Sequence, residues 1–201
     1  VRWIRRHLTG KFSNLLPRIA VSVAEESRRT GDGRIRITIP VDLRRHDAAI
    51  RSTGNLTNTI YIEISPEATV ESVADDISFQ IKNFYDCRYY HREKLMSYVP
   101  LRIITGGLRK VIAARHAQGL YHNSGIISNL GRLDLMNFSG GGFTACSWFS
   151  VPPCQEILPF FMVLAGSENS VNITAGMPEV LASRGRLEKF LDNIIPEAGK
   201  K

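Results

Sequence analysis

Two hydrophobic periods alternate along this chain, and their order limits the fold more than any single motif does. Arg34-Ile35-Arg36-Ile37-Thr38-Ile39 and Ile60-Tyr61-Ile62-Glu63-Ile64 carry an apolar residue at every second position, the pattern of a strand with one dry face and one wet face. Either side of them the period lengthens. Leu15, Leu16, Ile19, Ala20 and Val23 recur at helical spacing between Ser13 and Arg29. Ser13 or Asn14 is available as a cap, Pro17 falls in the first turn, and Gly31-Asp32-Gly33 ends the pattern. A second helix is expected from Thr69 through Val70, Val73, Ala74, Ile77, Ile81 and Phe84, a third over Leu101 to His116, and a fourth over Glu179 to Ile194. Between the last two lie four strand candidates separated by glycine- and proline-rich turns: Gly125 to Leu130, Phe143 to Val151, Ile157 to Ala165 and Val171 to Ala175. Interleaved strands and helices predict an α/β fold of the α+β sandwich kind, a mixed sheet covered by helices.

At 201 residues, 43% of them hydrophobic and 22% charged, the chain can bury one sizeable core. With neither an internal repeat nor a low-complexity linker, residues 1–201 are expected to form one domain. The longest apolar run, Ile157 to Gly166, is interrupted by Pro159 and is too short for a membrane span. The basic opening Val1-Arg2-Trp3-Ile4-Arg5-Arg6 is not followed by the apolar stretch of a secretion signal. It starts in mid-pattern, as a fragment would. Cys87, Cys146 and Cys154 are odd in number and lack metal-ligand spacing, so a reducing, cytoplasmic setting without a structural metal is expected. The formal charge of +7 favours an anionic partner such as a nucleic acid, a coenzyme A phosphate or an acidic carrier protein. Because acids are interspersed almost everywhere, a solvated surface accounts for it as well.

Gly125-Ile126-Ile127-Ser128-Asn129-Leu130-Gly131 is the segment richest in chemistry. A strand that ends on Ser, Asn and Gly offers a hydroxyl and an amide beside a backbone able to turn sharply. A hydroxyl held near an anionic oxygen stabilises it electrostatically and need not act as a nucleophile; equally, Ser128 and Asn129 could satisfy turn hydrogen bonds. The histidines form no cluster with the cysteines; of His91, His116 and His122, the last two flank Gly119-Leu120-Tyr121 near the Ser128 strand and could approach it, but surface or structural roles are expected for both. Cys87 and Cys146 are expected to be packed thiols. Gly106-Gly107-Leu108-Arg109-Lys110 and Gly140-Gly141-Gly142 lack the spacing of a phosphate-binding loop. The triplets at Asn55, Asn137 and Asn172 matter only after secretion.

Ile127-Ser128-Asn129-Leu130-Gly131, followed by the Pro152-Pro153 turn and the apolar strand beyond it, resembles the Ile-Ser-x-Leu-Gly strand and Ala-Pro-Glu turn of dihydrolipoyl acyltransferases, relatives of chloramphenicol acetyltransferase. Upstream, Pro40-Val41-Asp42-Leu43-Arg44 and Gly54-Asn55-Leu56-Thr57-Asn58-Thr59 are similar to the Pro-Val-x-x-Arg and Gly-x-x-x-Asn-Thr segments in the C-terminal lobe of peptide-synthetase condensation domains, alcohol acyltransferases and wax-ester synthases. The resemblance implies a chloramphenicol acetyltransferase-like lobe and an oxyanion-stabilising role for Ser128 beside Asn129. It also implies a place near a substrate channel for Asn58 and Thr59, and a bracing role for Asp42 and Arg44. No permanently bound cofactor is implied. The acyl donor would be a thioester on coenzyme A or on the phosphopantetheine of an acyl carrier protein, and the acceptor an amine or hydroxyl.

The His-His-x-x-x-Asp-Gly motif that supplies the base in these enzymes is absent from the chain, and Gly176-Met177-Pro178 stands where single-lobe relatives carry Asp-His-Arg. The chain therefore resembles the C-terminal lobe of a two-lobed acyltransferase, inactive until an N-terminal lobe brings the histidine. The Asp-Phe-Gly-Trp-Gly loop of some members is also missing; Asn137-Phe138-Ser139-Gly140-Gly141 occupies roughly that region. An alternative is a non-catalytic module that binds an acidic carrier protein or a partner lobe. Nucleic-acid binding has only the net charge behind it and is not expected, nor is membrane association. Apolar surface left by a missing lobe implies that the isolated chain pairs as a homodimer.

Overall fold

In the computed structural model, residues 1–29, 31–88, 95–96, 98–119, 121, 123–153 and 158–198 are described, with side chains as far as residue 195. Six strands make one sheet: β1 (Arg2–Thr9), β2 (Ile35–Asp42), β3 (Thr57–Ile64), β4 (Gly125–Arg132), β5 (Phe161–Gly166) and β6 (Ser170–Met177). Their order is β1-β6-β5-β4-β2-β3. The three central strands β5, β4 and β2 run parallel, and the outer pairs β1/β6, β5/β6 and β2/β3 are antiparallel. The helices include α1 (Leu15–Arg28), α2 (Val70–Lys82), α3 (Leu101–Ala117), α4 (Glu179–Ala182) and α5 (Arg186–Ala198). This is the mixed α/β architecture that the alternating periods imply.

The dry face of the sheet is built by strand parity. Ile35, Ile37, Ile39 and Val41 of β2 lie with Ile60, Ile62 and Ile64 of β3, Ile127 of β4, Met162 and Leu164 of β5, and Ile173 and Ala175 of β6 in one buried cluster. Three helices cover it. From α1 come Leu15, Ile19, Ala20, Val23 and Ala24, from α2 Val73 and Ile77, and from α5 Leu187, Leu191 and Ile194. The second helix opens on a reciprocal cap: Thr69 Oγ1 accepts from the Ser72 amide while Ser72 Oγ accepts from that of Thr69. Gly125 starts β4 against Phe160, whose atoms lie 3.0–3.3 Å from where a Cβ would stand, so no larger residue fits there unless Phe160 shifts.

The structure departs from the sequence expectations at several points. The strand β1 hides behind arginines in the sequence, yet Ile4 and Leu8 alternate toward the core and pack against it. Asn14 precedes α1 with a left-handed φ of 51° and makes no side-chain cap. β2 continues through Pro40 because its pairing to β4 stops at Thr38, leaving proline beside an edge. The fourth expected helix is split at Arg184 and Gly185, where φ is 59° and 75°. β5 begins only at Phe161, and Ile157 lies outside the described residues.

The expected strand Phe143 to Val151 is irregular apart from one bridge between Gly140 and Phe143. Side chains take the place of a ladder: Ala145 N–H donates to Ser139 Oγ, and Asn172 Nδ2 donates to Trp148 O. The third expected helix forms as α3 but has no buried residue. Among the described residues no helix is long and apolar enough to cross a membrane.

Leu191 is fully buried, whereas Leu108 on α3 is 52% exposed. Leu191→Ala is expected to lower the unfolding free energy by about 2–5 kcal/mol. Leu108→Ala should change it by no more than about 0.5 kcal/mol. Urea denaturation of the two variants checks both values.

Candidate functional site

The face of the sheet turned away from the dry core carries the groups able to do chemistry. Successive residues of a strand point to opposite faces, so Ser128, paired with Val163, lies on this second face while its neighbours Ile127 and Asn129 lie on the first. Arg5, Thr174, Val163 and Ser128 form one row across β1, β6, β5 and β4. Ile126, Thr38 and Tyr61 continue the next row onto β2 and β3.

Ser128 is half-buried, and its hydroxyl makes no hydrogen bond among the described residues. Thr38 and Thr174 are buried on the same face with hydroxyls that likewise lack partners among the described residues.

Part of this face is covered by the irregular segment before the two prolines. Phe149 stacks on Trp3 with ring centroids 6.3 Å apart, and the Arg5 guanidinium sits 4.5 Å over the Phe149 ring. Arg5 Nε also donates to Asn172 Oδ1 at 3.0 Å. Beside this cover a hollow of about 390 Å³ is lined by Arg5, His7, Cys146, Ser147, Trp148 and Asn172, among others. Thr38, Val163, Ala165 and Thr174 on this face are buried, whereas Trp3, Tyr61, Leu130 and Phe149 are each about two-fifths exposed. Trp3 and Arg5 were not singled out as site residues from sequence, although the alternation of Trp3, Arg5 and His7 with Ile4 and Leu8 carries the signal.

Asn129 belongs elsewhere. Its Oδ1 accepts from the Gly131 amide at 3.0 Å and closes a turn in which Gly131 has a φ of 68°, where β4 slips register against β5. On the helix side it borders a cleft of about 570 Å³ whose lining includes Lys11, Asn14, Ser78 and Arg132. Asn58 and Thr59 are separated in the same way. Asn58 Nδ2 donates to Asp86 O at 2.6 Å below the sheet, whereas Thr59 shares Ser128's face and lies 3.4 Å from the Tyr61 hydroxyl.

Arg44 gathers the loop after β2, donating to Ser52 O at 2.8 Å and Gly54 O at 2.7 Å and pairing with Asp42 at 3.0 Å. Among the histidines, His116 is exposed on α3 with its ring 5.6 Å from that of Tyr121. His91, His122 and Cys154 lie outside the described residues. Cys87 and Cys146 are exposed, contrary to the packed environment expected of them. Desolvation and then the Asp86 carboxylate push the Cys87 thiol above its ordinary range, which does not favour a free thiolate nucleophile.

No protein-family model and no curated protein matches the sequence. Solved structures do share the fold. A probable dihydrolipoamide acetyltransferase from Listeria monocytogenes 4b F2365 superposes with a TM-score of 0.55 at 8% identity, over 98% of this chain and 83% of that one. The first condensation domain of the CDA synthetase gives 0.55 at 12% identity, over 100% of this chain and 44% of that one. The starter condensation domain of rhizomide synthetase gives 0.55 at 14%, over 98% and 43%. This chain thus has the fold common to condensation domains and acyltransferase cores, and it spans less than half the length of the condensation domains it matches.

The Arg44 backbone N–H donates to Asp42 Oδ1 at 3.0 Å, and with the Arg44 guanidinium it holds the Asp42 carboxyl below its ordinary pKa of 3.8. A carboxyl lowered by folding contributes stability that is complete above its unfolded pKa and is lost as the pH falls through the folded one. Thermal melts of the wild type and Asp42→Asn should therefore differ by no more than about 2 °C at neutral pH, since solvent screens this exposed carboxyl, and converge in acid as the pH falls below 3.8.

Proposed function

We propose that this chain is the C-terminal lobe of an acyltransferase of the condensation type, which moves an acyl group from a thioester on coenzyme A or carrier-protein phosphopantetheine to an amine or hydroxyl. The observation that carries the reading is Ser128, a hydroxyl without a partner among the described residues, on a central strand and facing away from the dry core. Its segment resembles the oxyanion-stabilising strand of the acyltransferases, and the shared fold supports the same class. Both single-lobe and two-lobed proteins carry this fold. The choice between them rests on the absence of a His-His-x-x-x-Asp-Gly motif and on Gly176-Met177-Pro178 in place of Asp-His-Arg.

On this reading an N-terminal lobe closes over the face bearing Trp3, Tyr61 and Leu130 and supplies a histidine. The histidine takes the proton of the acceptor as its nitrogen or oxygen attacks the thioester carbonyl. The carbonyl oxygen becomes negative in the tetrahedral intermediate, and Ser128 Oγ–H donates to it. Collapse expels the thiolate, which recovers the proton from the histidine. Thr59 borders the channel on the same face. Asn129 and Asn58, on the opposite face, act only through the backbone turns they hold.

Loss of one oxyanion donor costs on the order of 10²-fold in turnover. Ser128→Ala in the two-lobed protein is therefore expected to lower kcat by about that factor with little change in KM. An unaltered kcat would show that Ser128 is no oxyanion donor.

A second reading, recognition of an acidic carrier protein, is favoured by α3. This helix contains Arg102, Arg109, Lys110 and Arg115, has no acidic residue, and buries none of its side chains. It predicts that a carrier protein binds the chain with an affinity that falls steeply as salt is raised, and that Arg109→Glu with Lys110→Glu removes the binding. Calorimetric titration at two ionic strengths reads both effects.

A further inference from the structure

Away from the face of Ser128, three side chains with metal-ligating atoms converge where two short 3-10 turns meet. His46 ends the turn Leu43–His46 that follows β2, and Asp86 and Cys87 belong to the turn Tyr85–Cys87 that follows α2. One ligand atom from each lies within 4.8 Å of the other two. The pairing spans forty residues of sequence, which is why no spacing motif announces it.

His46 and Asp86 are held from several sides. His46 Nε2 lies 2.7 Å from Asp86 Oδ2, and its ring packs 4.8 Å from that of Phe84, whose φ of 55° turns the chain out of α2. Asn58 Nδ2 grips the Asp86 carbonyl at 2.6 Å. Asp86 itself is fully buried, and its second oxygen, Oδ1, has no hydrogen-bond partner among the described residues. An unpaired buried carboxylate oxygen is costly, and a cation in this position would remove the cost. Cys87 closes the group from the solvent side.

An imidazole, a carboxylate and a thiol together suit zinc. Calcium and magnesium take oxygen donors, and copper(I) takes sulfur. We propose that His46, Asp86 and Cys87 form a binding site for Zn²⁺ or a divalent ion of similar softness, with a fourth position open to water. Ligand atoms around tetrahedral zinc stand about 3.5 Å apart, so binding would open the 2.7 Å contact between His46 Nε2 and Asp86 Oδ2 and draw in Cys87 Sγ from within 4.8 Å. Coordination at Nε2 leaves the imidazole proton on Nδ1, and the thiol of Cys87 gives up its proton to solvent. The bound ion clasps the turn after β2 to the turn after α2 and, through Asn58, braces the start of β3.

Co²⁺ is the probe, since a cobalt–thiolate bond gives a charge-transfer band in the near ultraviolet that other ligands do not. Titration of the metal-free protein should produce this band at one ion per chain, and Zn²⁺ should bleach it by displacement. Cys87→Ser, an exposed change that leaves the core intact, should abolish the band and weaken zinc binding by roughly 10-fold or more. His46→Gln should weaken it similarly, and Cys146→Ser should leave band and affinity unchanged. A titration without the band, or a band that survives Cys87→Ser, overturns the assignment.

Discussion

Burial of one face of a six-stranded sheet beneath α1, α2 and α5 is the constraint on which the rest of the molecule depends. A strand residue has only two directions available, so once Ile127 is committed to the dry cluster the directions of Ser128 and Asn129 follow from the pleat. The same holds for Asn58, two and four positions before the buried Ile60 and Ile62, and for Thr59, one and three positions before them. A register slip of one residue would exchange every one of these assignments. The cost of turning the isoleucines of β2 and β3 outward makes such a slip prohibitive.

The two faces differ in kind as well as direction. The helix side is filled by branched aliphatic residues and leaves polar side chains work only at its margins, as when Asn58 and His46 tie the two 3-10 turns through Asp86. The other side mixes buried hydroxyls at Thr38 and Thr174 with exposed aromatic rings at Trp3 and Phe149. Val163 and Ala165 are buried on this side although no helix of the dry core covers them. The helix α3, without a buried residue, adds a basic exposed surface to the same chain.

Sequence patterns made the fold legible where burial is one-sided and strong. The isoleucine alternation in β2 and β3 and the helical spacing in α1 and α2 identify their elements because each has a core to answer to. β1 escaped because arginine occupies three of its eight positions, and long cationic side chains can line an edge strand without breaking its ladder. Phe143 to Val151 misled for the opposite reason: its alternation is genuine, but hydrogen bonds from Asn172 and to Ser139 replace strand pairing. For the candidate site, motif resemblance could single out Ser128, Asn129, Asn58 and Thr59, but only the pleat separates each pair into two faces. The meeting of His46 with Asp86 and Cys87 was illegible, since it depends on where two helical turns stop.

A hydroxyl donor is worth most where water is excluded, because a hydrogen bond to a developing anion strengthens as the local dielectric falls. Ser128 stands on the side of the sheet that this chain covers only in part, through the segment carrying Ser147, Trp148 and Phe149. If Ser128 acts on an oxyanion, the surface that completes the cover must arrive with the substrate or with another lobe. Assembly and catalysis would then be one requirement: the apolar area that draws a partner onto this face is also the area that must be dried for the hydroxyl to matter. The exposure of Trp3, Tyr61 and Leu130 and the absence of a partner for Ser128 among the described residues therefore belong to a single physical account of the proposed site.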